Sequence, residues 1–492
     1  LDTEIDRWMQ PELPAVSQAR DPIELTRVAQ ASLAERAPAD AEHWWIDYPI
    51  GRDNPYLQIW WETEEDGWQD QYIDSTTGEV LTARDTAGGQ TLYRMHWKLH
   101  YVPEAVGEWT VGIATLFMFV ALVTGVVVHR RIFTDFFTFR PGKGQRSWLD
   151  AHNLASVVTL PFQLMITYSG LVFMMFVYMP LMVAAAYGTD ESGREAFRAE
   201  AFNEAPHAKP SGEPAPLIPL DQVLAQVPRY WGDAPVRALD ITHPNDANAR
   251  IEVYGDNAAG PLRESASLTF DGVTGALLSS QPAAASGANS FRQLMLGLHE
   301  GLFAGPLLRA LYVVSGLLGA AMIASGLVLW TVKRRQRIEK SRALPHPGLR
   351  LVERFNVATI VGLPIAIAAY FWANRLLPVE MAGRADWEVH AMFLAWGAMF
   401  AHAALRPVAR AWYEQLRLAG LAFGLLPVLN VLTTDRHIGV SLEQGDWVMA
   451  GFDLTVLALG GCAATVAMHL QRREERARDE APVPLATARP GE

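Results

Sequence analysis

Seven apolar stretches of roughly 20 residues constrain this chain more than any other feature. They fall at about 107–129, 153–185, 305–332, 353–373, 387–405, 413–432 and 447–469. Each is long enough to cross about 30 Å of hydrocarbon as a helix. Half of the 492 residues are hydrophobic and 19% are charged. That balance is too apolar for an ordinary soluble protein and too polar for membrane spans alone. The chain therefore reads as an α-helical polytopic membrane protein with soluble parts.

Basic clusters orient the spans. "HRRIF…FRPGKGQR" follows the first, "KRRQRIEKSR" the third, "RPVAR" the fifth and "QRREERAR" the seventh. Loops rich in Lys and Arg stay cytoplasmic, and with that assignment all seven spans alternate. Residues 1–105 and 187–300 then lie outside, 106–186 and 301–472 hold the helices, and 473–492 form a cytoplasmic tail. Residues 1–105 need an upstream span or signal to reach the outside, so an eighth helix is expected before Leu1. The net charge of −12 argues against nucleic acid as a partner.

The two outer segments repeat each other. "YIDSTTGEVL" (72–81) and "TFDGVTGALL" (269–278) share Asp, two residues, then Thr-Gly between apolar residues. Asp opens a turn with its side chain and Gly supplies positive φ, which predicts a β-turn between strands. Helix-like sequence opens each segment and strand-like sequence precedes each turn, so two α+β domains of one type are expected. The repeat runs on into the membrane. Leu99-His100 matches Leu298-His299, and Thr124-Gly125 matches Ser325-Gly326. His129 is matched by Trp330, so the inner-edge histidine exists in one copy only.

Ionisable groups at a membrane span are costly, and each is a functional candidate. Neutral imidazole is a good iron ligand, and paired histidines hold b-type haem without a covalent link. On the outer side, His100 and His299 occupy equivalent places in the repeat. His96, one helical turn before His100, is the substitute for it. On the inner side, His129 ends the first span and His152 begins the second. Gly125, Gly170 and Gly326 leave room for a flat macrocycle or a neighbouring helix. These histidines are also read as interfacial residues without metal. His390 and His402 read as core packing, and His43, His207, His243, His346 and His437 as surface.

A single cysteine, Cys462, excludes a disulfide framework, a Cys-rich metal site and covalent haem attachment. The chain has no G-x-G-x-x-G after a strand, no Walker loop and no H-E-x-x-H. Electrons, if they cross, come from a membrane quinol or a cytoplasmic reductase. The alternative function is a transporter of iron, siderophore or another ion without redox chemistry. Its support is a few polar residues in the spans, namely Gln163, Thr167, Tyr168 and Asp453. A third reading makes the outer domains regulatory modules on a membrane anchor.

The phrases "YRMHWKLH", "VTGVVVHRRIFTDFF", "WLDAHN…LPFQLMITYSG", "LHEG…SGLLGAAMIASGLVLW" and "FWANRLLP", with the doubled turn, resemble the PepSY-associated transmembrane proteins of bacterial inner membranes. Several members are ferric-siderophore reductases of the FoxB-like type. The resemblance implies b-type haem, two groups on this layout, held by His100, His299, His129, His152 or His96. It implies cytoplasmic electron entry and reduction of Fe(III)-siderophore in the periplasm. It also implies a His-bearing helix ahead of Leu1, which leaves the inner pairing open.

Overall fold

A computed structural model describes residues 1–479 apart from 15–20, 51–54, 130–139, 141, 143–144, 179, 203–208, 284–286, 342–343 and 345. The basic loop after the first span, the end of the tail and His207 thus lie largely or wholly outside the described residues.

The soluble part starts with helix α1 (Asp2–Met9) and helix α2 (Pro22–Arg36), then strands β1 (His43–Asp47), β2 (Leu57–Thr63) and β3 (Gly67–Ile73). Asp21 caps α2 by accepting the Ile23 N–H, and Pro22 sits at its first turn, both standard helix-start devices. Helix α3 (Gly88–Arg94) leads to the first span, α4 (Glu104–Val128). The second long helix, α5, covers Gln145–Phe173. It stops twelve residues before the expected end at 185, and short helices replace the remainder.

The second soluble segment follows the same plan, with helix α6 (Leu220–Leu224) and strands β4 (Val236–Thr242), β5 (Arg250–Gly255), β6 (Ser267–Asp271) and β7 (Leu277–Gln281). The two expected α+β domains do not stand apart. β1 pairs antiparallel with β4, with Trp45 opposite Asp240, and the result is one seven-stranded sheet in the order β3-β2-β1-β4-β5-β6-β7. The reason is physical: an isolated unit would leave an apolar, unpaired edge strand, and joining the edges buries it. Leu25, Ala29 and Leu33 of α2 and Leu220, Val223 and Leu224 of α6 share one core with Ile46, Ile59, Leu239 and Ile251. Arg27 meets Asp221 at 2.7 Å between these helices.

Both predicted turns are present. Asp74 Oδ1 accepts the N–H groups of Thr76 and Thr77, and Gly78 has φ +73°. Asp271 Oδ1 accepts those of Val273 and Thr274, and Gly275 has φ +72°. These hydrogen bonds hold both carboxyls below their usual range.

Helix α7 (Gly287–Glu300) links the sheet to α8 (Pro306–Ser341). Then come α9 (Pro347–Ile360), α10 (Gly362–Leu376), α11 (Arg384–Leu405), α12 (Val408–Gly424), α13 (Leu426–Thr433) and α14 (Trp447–Asp479). Among the described residues, six helices are long and apolar enough to cross a membrane: Glu104–Val128, Arg146–Phe173, Pro306–Ser341, Pro347–Leu376, Val408–Thr433 and Trp447–Arg476. The expected segment 387–405 is a 22-residue helix, α11, but falls outside this set. Its Glu388, His390 and His402 dilute its apolar character.

The chain forms two helical groups. α4, α7 and α8 pack on α5, while α9 to α14 pack on one another. Helix α1 reaches across to the second group. Trp8 is fully buried, stacks on Phe452 with ring centres 4.3 Å apart, and donates to Asp453 at 3.0 Å. Arg375 lies over the Trp8 ring at 3.8 Å and donates to Asn430. Arg384 and Glu388, both fully buried, form an ion pair beside them. Glu388 also accepts from Thr86, Ala87 and Asn374. A network this complete leaves few buried charges without a partner, which keeps burial tolerable.

Candidate functional site: two imidazoles in Ser-Gly notches and a third facing one of them

Helix α3 ends at Arg94, and the chain turns through residues 95–97. His96 is therefore not followed by another helical turn. Its Nδ1 bonds the Tyr93 carbonyl, and its ring lies 6.4 Å from that of His299, with an 18° angle between planes. The imidazole facing His299 is thus His96, the substitute named above.

His100 goes elsewhere. Tyr101 has φ +62°, a left-handed conformation that bulky residues seldom adopt. This bend turns His100 toward Tyr101 and Phe393, with ring centres 4.1 and 5.5 Å away. Tyr101 in turn bonds Nδ1 of His390. His100 and His299 are equivalent in the repeat but not neighbours in space.

His299 sits in a notch of α5. A Cβ on Gly170 would lie 3.2 Å from its Cε1, so glycine leaves the imidazole its room. Ser169 Oγ is 2.8 Å from His299 Nδ1. The Ser169 hydroxyl proton is committed to the Met165 carbonyl at 2.8 Å, so Nδ1–H donates to Oγ. Burial and the nearby His96 push the His299 pKa down to about 4, which keeps the ring neutral at pH 7.

The other notch is on α8. A Cβ on Gly326 would lie 3.3 Å from Cε1 of His152. His152 Nδ1 is 2.9 Å from the Met322 carbonyl and 3.2 Å from Ser325 Oγ. The carbonyl only accepts, so Nδ1 carries the proton here too. Each of α5 and α8 thus supplies a Ser-Gly pair that seats an imidazole from the other half of the repeat. The helices close on each other between the notches, where Gln163 donates to the Ser315 carbonyl at 3.1 Å and Gly319 admits its side chain. His152 and Gly170 are 18 positions apart on α5, about 27 Å at ~1.5 Å per residue.

His129 caps the end of α4 and is exposed. No ring contact joins it to His152. Gly125, beside it, opens onto free space. His402 bonds Glu414 at 3.0 Å, a packing role as expected. The buried Arg375, Arg384 and Glu388 network escaped the sequence reading. Its signal was charge inside apolar segments, at "FWANRLLP" and the start of α11.

Haem iron needs an imidazole lone pair facing it and a fixed tautomer, usually set by a hydrogen bond from the other ring nitrogen. His96, His299 and His152 all meet this: each Nδ1 is engaged and each Nε2 keeps its lone pair. His96 and His299, with ring centres 6.4 Å apart, would hold such an iron between them.

A relative from Pseudomonas aeruginosa, named "Uncharacterized protein PA4219", is 26% identical over 368 residues, covering 71% of this chain and 86% of that protein. The family model "PepSY-associated TM region" matches residues 1–333, which include both notches and the whole seven-stranded sheet. The chain belongs to the PepSY-associated transmembrane family.

Proposed function

We propose that this protein is a b-type haem metalloreductase of the bacterial inner membrane. On this reading it passes electrons to Fe(III)-siderophore in the periplasm and releases Fe(II). The observation that carries the reading is the shared tautomer of three imidazoles, His96 and His299 at the sheet-side end and His152 at the opposite end. Each has Nδ1 bonded to the protein and Nε2 free. His96 and His299 would hold one haem, and His152 would supply one ligand to a second. Bound there, haem would supply one-electron transfer.

The protein's part is to orient and insulate. Ser169 and the carbonyls of Tyr93 and Met322 fix the rings. Gly170 and Gly326 give them space, and α4, α5 and α8 supply apolar surroundings. A membrane quinol or a cytoplasmic reductase is the electron donor. Fe(III) binds hard oxygen ligands more tightly than Fe(II) does, so one electron loosens the metal from its chelator.

The test is a reduced-minus-oxidised optical spectrum of the purified protein with a pyridine haemochrome count. About two b-type haems per chain are expected. A colourless protein after haem supplementation would sink the reading and bring the transporter alternative forward.

A further inference from the structure

The two helical groups are tied together at one seam. α8 meets the second group chiefly at α9, the helix that follows it. Arg335 of α8 pairs with Glu353 of α9 through two hydrogen bonds of 2.9 and 2.8 Å. Asn356 of α9 donates to the Leu327 carbonyl of α8 at 3.3 Å. Beside these ties the groups part. A cavity of about 1890 Å³ runs between α8 on one side and α9, α10, α12 and α14 on the other.

Its walls are apolar for most of their length. Leu317 and Val328 of α8 line it, as do Leu416 of α12 and Leu459 of α14. Leu317 and Leu459 are exposed, so in a bilayer they meet acyl chains rather than protein. On α14 the lining runs from Trp447 to Arg473, 26 positions apart, which is about 39 Å at ~1.5 Å per residue. A cleft of that length crosses one bilayer from headgroup layer to headgroup layer.

The two ends differ in charge. α8 begins at the sheet end, after α7, and α14 begins there too, next to Asp446, which Arg7 of α1 holds at 2.7 Å. Arg335 and Arg473 therefore stand at the far end. Arg350 and Arg354 near the start of α9 and Arg406 just ahead of α12 join them in lining the cleft. The carboxylates lining this end are Glu353 and Glu474. Glu353 is taken by Arg335 at 2.8 Å, and Arg410 approaches Glu474 at 3.8 Å. Arg406 pairs with Glu414 at 2.8 Å. Arg354 and Arg473 pair with no carboxylate among the described residues. At the sheet end the lining includes Glu4 and Trp447 and no arginine.

This asymmetry defines the occupant. A long apolar cleft with surplus guanidinium at one end suits a molecule that is apolar along its length and anionic at its head. A free phosphate makes no use of the cleft. A neutral apolar molecule leaves Arg354 and Arg473 uncompensated, and a zwitterionic head sets its own cation against them. A phospholipid with a net negative head meets both demands, since basic pockets between membrane helices hold such heads.

We propose that this cleft is a binding site for an anionic diacyl phospholipid. Its phosphate lies with Arg354 and Arg473, and its acyl chains lie between α8 and α14. Bound there, the lipid fills the seam between the two helical groups. The site is independent of the haem reading, and binding forms and breaks no covalent bond.

The test uses the full chain in detergent, stripped of lipid and then given phosphatidylglycerol or phosphatidylcholine with the same acyl chains. Bound lipid is counted by native mass spectrometry across a titration. Phosphatidylglycerol is expected to bind about tenfold tighter. Arg354→Gln combined with Arg473→Gln should remove that preference. Arg472→Gln combined with Arg476→Gln should keep it, because these exposed arginines stand at the same end of α14 outside the cleft lining. Ala320→Trp, at an exposed position of the apolar wall, should weaken both lipids. Equal binding of the two lipids by the native chain would overturn the proposal. So would a preference that survives Arg354→Gln with Arg473→Gln, one lost equally in the control pair, or undiminished binding to the Ala320→Trp variant. A photoreactive phenylalanine analogue in place of Ala320, activated in native membranes, should label lipid. A label on a polypeptide helix instead would mean that protein fills the cleft, and would overturn the proposal as well.

Discussion

Ser169 Oγ stands 2.8 Å from Nδ1 of His299, and that contact fixes which nitrogen of the ring faces away from α5. The same device recurs at the far end of the bundle, where Ser325 and the Met322 carbonyl hold His152. The two sites are linked through α5. It carries His152 and receives His299 from α7, and α8 receives His152.

Glycine at each notch is a steric requirement. Gly170→Val and Gly326→Val place branched side chains where His299 Cε1 and His152 Cε1 now lie, 3.2 and 3.3 Å from a built Cβ. On the reductase reading each variant loses one haem and keeps the other, so the haemochrome count falls by about half. Ser169→Ala keeps the room but frees the tautomer. It should retain haem with lower affinity, by about 10-fold or more, measured by competitive haem transfer. Full haem content in Gly170→Val would contradict this assignment.

The two turn glycines differ in their neighbours. A Cβ at Gly275 would meet Ile218 Cδ1 at 2.6 Å, whereas at Gly78 the closest atom is Ser32 Oγ at 3.1 Å. Alanine pays about 1–2 kcal/mol for the left-handed conformation at either position. Gly275→Ala is expected to destabilise more than Gly78→Ala, because it adds a clash. Thermal unfolding of the two variants side by side decides the order.

Arg384 and Glu388 are both without solvent contact. Glu388→Gln leaves a buried guanidinium without its counter-charge and should cost about 3 kcal/mol or more. The loss falls on the attachment of residues 84–88 and α1, since Glu388 also holds Thr86 and Ala87. Faster proteolysis within residues 1–90 is the expected readout. The double variant Arg384→Met, Glu388→Leu should recover part of the stability, since neither charge is then stranded.

Asp6 titrates high. Burial raises its pKa to about 6, against the lowering effect of the Gly89 N–H. Between the ordinary value near 3.8 and about 6, the folded protein binds the proton more strongly than the unfolded chain. Stability from this group is therefore present at low pH and lost as pH rises through about 6. Asp6→Asn should raise the melting temperature at pH 7.5 and make no difference near pH 4. A stabilisation that is the same at both pH values would refute the assignment.

Much of this architecture is legible in the sequence. The Asp-x-x-Thr-Gly phrases specify local turns with their own side chains, so both were readable. The spans are readable because 20 apolar residues have few other fates. His100 was misplaced because the spacing His96-x-x-x-His100 invites a helix, while α3 stops at Arg94 and Tyr101 takes a positive φ. The first break has no Gly or Pro to announce it, and Pro103 lies two residues past the second. The β1–β4 pairing was illegible for another reason. Partners so far apart in sequence leave no periodic trace in either strand, and only the fold brings them together.

That pairing has a consequence for how the protein is made. β1 and its partner β4 are separated by about 190 residues, which include two membrane helices. At roughly 5–20 residues per second, the ribosome adds the second strand some 10–40 s after the first. Throughout that interval the first half-sheet has its inner edge bare. The newborn chain must be shielded from other unpaired strands until its own second half is made, so the pace of synthesis sets how long this protein is open to aggregation.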